Sequence, residues 1–200
     1  MSLSTYDGLK LSVADWINRE DLSSVIPDFI ALAENRIFRE LRAPSNEKTV
    51  DLVVSNDGYA TVPNDLLEVK DLFWNYQPLT RVSLTQLHSY VTRAGQAPEM
   101  FARETYRFRL FPVPTVLDSD NLKMIYYFEP DNLTSSNGTN PVFSTSPDIY
   151  LYGTLVEASN YLGSDTSRWE GAYQSAMGRA MQHAKTAEYA GASAQTQAGY

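Results

Sequence analysis

The chain has no cysteine, and this absence excludes disulfide staples and thiolate chemistry together. Histidine is nearly as scarce: His88 and His183 stand far apart, and neither has ligand spacing around it, so no metal centre is expected. Long hydrophobic runs are missing too. Every apolar stretch is broken by Asp, Glu, Arg or Asn well short of the roughly 20 residues a spanning helix needs. The opening MSLSTYDGLK has no basic leader followed by an apolar run, so no export signal is expected. Asn132-Leu-Thr134 and Asn137-Gly-Thr139 are accordingly read as loop residues rather than glycan acceptors. Signatures of common active sites are equally lacking: there is no glycine-rich phosphate loop, nucleophile elbow, HExxH pair or EF-hand spacing. No cofactor is therefore expected, and no enzyme.

Positive charge is in short supply. Sixteen lysines and arginines against 24 acids leave a net charge of −8, which argues against a broad grip on nucleic acid. An acidic wall repels phosphate, which suits a channel that must release its cargo. The one basic concentration is Arg81, Arg93, Arg103, Arg107 and Arg109, interleaved with Tyr90, Phe101, Tyr106 and Phe108. It reads as a solvated sheet face, as a patch for an acidic partner, or as a single-strand-binding sheet.

At 200 residues and 43% apolar composition the chain is long enough to bury a core unaided. Thirteen tyrosines outnumber eight phenylalanines, a composition that fits either strands or surfaces buried at one end and wet at the other. The first third reads as helical. Leu9, Val13, Trp16 and Ile17 share one face after a cap at Ser4 or Thr5, and a second helix carries Ile26, Phe29, Ile30, Ala33, Ile37 and Leu41. The two are expected to form an antiparallel hairpin, stripe against stripe.

Strands follow. Thr49 to Val54, Tyr59 to Val62 and Leu66 to Trp74 are punctuated by Asn56-Asp57-Gly58 and Pro63-Asn64-Asp65. A short helix capped by Ser83 spans 83–91, with Leu84, Leu87 and Val91 on one side, before a break at Gly95. Met100 to Ala102 is expected to meet Tyr106 to Phe111, with Tyr106, Phe108 and Leu110 on one face and Arg107 and Arg109 on the other. Leu122 to Phe128 follows a turn at Asp118-Ser119-Asp120, giving one small, largely antiparallel sheet. Residues 129–147 read as a long irregular loop of the kind that contacts something. Helices resume from Pro147 to about Leu162, where Glu157 interrupts an apolar sequence, and from Thr166 to about Glu188. The predicted class is α+β, with N- and C-terminal helices bundled and a β region inserted between them. The expected divisions are 1–44, 45–146, 147–189 and a flexible tail 190–200.

The order of five motifs then points further: VADWINREDLSSVIPDFIALAENRIFRELR (Val13 to Arg42), VPNDLLEVKDL (Val62 to Leu72), GQAPEMFARETYRFRLFPVP (Gly95 to Pro114), the Tyr-Tyr strand with its Asn-rich loop and Pro-Asp-Ile-Tyr-Leu-Tyr-Gly block (Leu122 to Leu162), and WEGAYQSAMGRAM. In this order the chain resembles the head-to-tail adaptor proteins of short-tailed bacteriophages. The resemblance implies a virion protein assembled in the host cytoplasm, many copies forming a ring at the head-tail junction. Its implied partners are the portal protein, a tail or nozzle protein, and other copies of itself. Genomic DNA would pass through without sequence-specific binding, and no membrane is involved. The candidate interface residues are Tyr126, Tyr127, Asn140, Phe143, Tyr150, Tyr152, Arg107 and Arg109; for Tyr126 and Tyr152 core packing is an equal alternative. A tail-tube or nozzle subunit and a single-stranded nucleic-acid-binding module are the other readings.

Overall fold

The structure, a computed structural model, describes residues 3–90, 96–115 and 122–189. In chain order its elements are α1 (Tyr6–Ile17), α2 (Ile26–Glu40), β1 (Glu47–Leu52), β2 (Tyr59–Thr61), β3 (Leu66–Trp74), β4 (Gln77–Pro78), β5 (Thr80–Arg81), α3 (Leu84–Ser89), β6 (Met100–Glu104), β7 (Arg107–Phe111), β8 (Leu122–Phe128), α4 (Pro141–Thr145), α5 (Pro147–Leu162) and α6 (Ser167–Tyr189). N-terminal helices, a mostly antiparallel β region and C-terminal helices make this an α+β fold. The chain divides into two compact units, one of Met1–Asn46 with Pro130–Tyr200 and the other of Glu47–Glu129.

The helical unit is organised by its local signals. Thr5 caps α1, its hydroxyl accepting the N–H of Gly8 at 3.1 Å, and Asn18 ends the helix in the left-handed conformation. Pro27 occupies the first turn of α2, where its missing N–H costs nothing. The whole expected stripe of α2, from Ile26 to Leu41, is buried, and Glu34 and Phe38 are buried with it. The expected face-to-face pairing of α1 with α2 gives way to a different arrangement. Both helices pack chiefly on α5, which also receives α6. The reason lies in α5 itself: Ile149, Tyr150, Leu151, Leu155, Val156 and Ala158 leave it apolar nearly all round, and such a helix belongs at the centre. At Gly153 a Cβ would meet the Ala33 Cβ and the Tyr173 ring at 3.3 Å, so glycine is what lets α2 and α6 approach α5 there.

The β-rich unit holds two four-stranded sheets rather than the single one expected, in the orders β1-β8-β3-β4 and β2-β7-β6-β5. All pairings are antiparallel except β5 with β6. Strand β8, which follows β7 in the chain, lies between β1 and β3 in the other sheet. Each sheet presents one apolar face by strand alternation, Leu122, Met124 and Tyr126 from β8 and Phe108 and Leu110 from β7, and these close into a common core. Tyr106, expected inside with Phe108 and Leu110, falls instead at the β6–β7 turn and is 76% exposed. A second turn, between β3 and β4, holds Asn75 and Tyr76 both at positive φ, the geometry of a tight two-residue hairpin.

The 129–147 stretch, read as an irregular loop, contains α4 and buries Leu133, Asn140, Val142 and Phe143; from Pro130 onward it groups with the helical unit rather than with the β-rich region. The Asp118-Ser119-Asp120 turn, Arg93, Val91, Gly95 and the tail 190–200 lie outside the described residues.

Candidate functional site

Three of the expected interface residues meet inside the helical unit. Asn140 caps α4: its Oδ1 accepts the Phe143 N–H at 2.8 Å, and its Nδ2 donates to the Asp131 carbonyl at 3.1 Å. The Tyr150 hydroxyl lies 3.0–3.1 Å from the same amide, and burial raises its pKa. Phe143 packs edge-on to Tyr150 with ring centres 5.0 Å apart. All three side chains are buried. Their joint effect is to hold residues 130–146 against α5.

A residue that sequence reasoning passed over completes this fastening. Glu34 of α2 is 1% exposed, and its Oε1 accepts the Leu133 N–H at 2.9 Å. Burial lifts its carboxyl to about 7, the Leu133 N–H pulling the other way. Its signal was in the helical period: position 34 lies one turn from both Ile30 and Phe38, inside the buried arc. Glu157, singled out from sequence instead, is half-buried. From α1, the Tyr6 N–H donates to the Gly138 carbonyl at 2.8 Å, so three helices hold the strap.

Polar ties also join α2 to α6. The Arg36 guanidinium donates to both oxygens of Glu170, at 2.6 and 2.8 Å, and to Glu40 at 3.0 Å, while lying 4.3 Å from the Tyr173 ring centre. The Tyr173 hydroxyl donates to Glu40 Oε2 at 2.9 Å. Arg36 thereby draws the Glu170 carboxyl down to about 2.

Tyr152 takes another direction. It is half-buried, and its ring meets Trp16 at 6.2 Å; Trp16 meets Trp169 at 5.5 Å, and the Arg168 guanidinium lies 4.4 Å from the Trp169 ring centre. Trp16, expected on the buried face of α1, is 49% exposed within this cluster. On α1 a separate hollow of about 330 Å³ opens beside Asp7, Lys10, Leu11 and Ala14, with Ser23 and Ile26 facing them.

The remaining expected residues lie in the β-rich unit. Tyr126 is buried, and its hydroxyl donates to Asp65 Oδ1 at 3.0 Å; burial and that carboxylate push it up to about 12. Lys48 holds the other Asp65 oxygen at 2.7 Å. Tyr127 alternates to the opposite face of β8 and is half-buried. Arg107 stacks on Tyr59 at 4.2 Å and lies 3.8 Å from Glu104, whereas Arg109 reaches His88 at 3.3 Å. Phe101 and Phe108, which would have to share that face to stack bases, turn inward and pack on each other at 5.7 Å. Among the described residues no group of three or more His, Cys, Asp or Glu side chains is placed to hold a metal ion. No helix among them is long and apolar enough to cross a membrane.

What the molecule offers is a set of internal ties and several open apolar surfaces, the equipment of an assembly subunit. Residues 4–197 match the sequence profile of the family described as SU10 adaptor protein. The chain belongs to that family, whose members are phage head-to-tail adaptors, and its role is that of a structural connector of the virion. No curated protein matches it.

Proposed function

We propose that the chain forms a ring at the head-tail junction, docked on the portal protein on one side and on a tail or nozzle protein on the other, and continues the DNA channel between them. The match to the adaptor family over residues 4–197 carries this reading. Its role is structural, with no reaction and no cofactor. The net charge of −8 supports a wall that lets phosphate pass without holding it. The subunit assembles in the host cytoplasm and ends in the virion. Its interface draws on the exposed side chains among the expected residues, Arg107 above all, and on Tyr152, Trp16 and Trp169.

Light scattering on the purified chain, alone and mixed with the portal protein of the same phage, tests the reading. A defined complex of many copies is the expected result, and indifference to the portal at every ratio overturns it. A tail-tube or nozzle subunit would instead join only tail proteins. The Arg107–Tyr59 pair favours a weaker second reading, single-strand binding by the sheet, which would appear as salt-dependent association with a single-stranded oligonucleotide.

A further inference from the structure

Helix α1 carries two unlike surfaces. One is a knob, the Trp16–Tyr152–Trp169 cluster with Arg168 on its edge; the other is the hollow beside Asp7, Leu11 and Ala14. At about 100° per residue, Trp16 lies roughly half a turn around α1 from those three residues. Knob and hollow therefore open on opposite flanks of one helix.

We propose that neighbouring copies join head to tail through these flanks, the aromatic knob of one copy seating in the α1 hollow of the next. The proposal deepens the ring reading and rests on it. Rings need a heterologous contact, in which two different patches of one chain complement each other; a patch that met itself would close a two-fold dimer and stop. The two surfaces match in kind. The knob is three rings that hold one another in place, so little freedom is lost when it docks. The hollow has an apolar floor at Ile26, an apolar wall at Leu11, and a volume of about 330 Å³, room for an indole ring.

Their charges match as well. Arg168 contacts the Trp169 ring and makes no ion pair among the described residues, whereas the Asp7 carboxylate stands 72% exposed at the rim of the hollow with only Lys10 beside it, 2.8 Å away. Docking brings the Arg168 cation to this carboxylate, and a rim pair of that kind fixes register and partner choice more than affinity.

The cysteine-free sequence supplies the test, because introduced thiols are then the only ones this chain carries, and a ladder spaced by its own mass reports links between copies of it. Full-length protein carrying both Ser23→Cys and Arg168→Cys is assembled on the portal protein and oxidised, and the products are separated under denaturing, non-reducing conditions. The expected result is a ladder of covalent dimers, trimers and higher species, which neither single variant produces. A second pair, Leu11→Cys with Arg168→Cys, places the thiol on the other wall and is expected to give the same ladder. Assembly to the wild-type mass with no ladder from either pair overturns this interface and leaves the ring reading standing. Failure of the wild-type chain to assemble overturns the ring reading, and the interface with it.

Discussion

Glu34 accepts the backbone N–H of Leu133 at 2.9 Å, so a carboxyl group with 1% exposure ties the strap before α4 to the middle of α2. Tyr6 from α1 and Tyr150 from α5 are the titratable groups that face it, and both are neutral below their raised pKa values. The folded chain keeps Glu34 protonated up to about pH 7, whereas the unfolded chain loses that proton near 4.5. Between those values the folded state binds the extra proton, so this group's contribution to stability declines as pH rises through the window. Glu34→Gln keeps the acceptor and removes the charge. We expect it to raise stability by about 1–3 kcal/mol above pH ~7.5 and to change little near pH ~4. Urea unfolding of both proteins across that range decides the matter, and parallel pH profiles would count against the assignment.

Gly153 sets the approach of α2 and α6 to α5. A Cβ there meets Ala33 and Tyr173 at 3.3 Å, tight enough that one neighbour must shift. Gly153→Ala trades this crowding against better helix propensity, and we expect a net loss of about 1 kcal/mol. Gly153→Val adds two methyl groups with nowhere to go, and its loss should reach about 2–4 kcal/mol. Thermal unfolding reads the difference; a valine variant as stable as the parent would mean the crossing is looser than described.

Glu170 works in the opposite sense from Glu34. Arg36 holds its carboxyl at about 2, so its contribution is present above pH 4.5 and is lost as pH falls toward 2. With the Glu170 side chain 36% exposed, solvent screens the pair. Glu170→Gln should therefore cost only about 0.5–1 kcal/mol at neutral pH, with the gap from wild type closing in acid. A constant gap down to the lowest accessible pH would assign the loss to packing rather than charge.

Asn140 and Tyr150 should not be equivalent to lose. Tyr150→Phe removes one hydrogen bond and leaves the Asn140 amide its contacts with Phe143 and Asp131, a loss of about 1 kcal/mol. Asn140→Ala removes the α4 cap and strands a buried hydroxyl as well, so about 2–3 kcal/mol is expected. Equal losses from chemical denaturation would show that the amide does no more than partner the tyrosine.

The helices were legible because their signals are local: Thr5 and Ser83 cap where the side chains require it, and the stripe from Ile26 to Leu41 repeats at the helical period. Helix partners were less so. Nothing in α1 or α2 says that α5 will come between them; that follows from the apolar circumference of α5, a property of another part of the chain. The strand faces of β7 and β8 were readable from alternation, but which strands share a sheet depends on pairing over long separations, which alternation does not encode. Among the interface candidates, Asn140, Phe143 and Tyr150 were marked for contacts with a partner; the structure gathers them in a buried cap, a grouping the sequence did not suggest. Glu34 was missed because a carboxyl on a helix is expected to reach water; the helical period placed it in the buried arc, and the Leu133 N–H supplies the partner it meets there.

The two ends of the β-rich unit leave side by side. Glu47 at the start of β1 is the register partner of Tyr127 near the end of β8, which puts their backbones about 5 Å apart, as in any antiparallel pair. A segment whose ends meet in this way behaves as a cassette: its length and outer loops can be exchanged wholesale while the flanking helices keep the same two points of attachment.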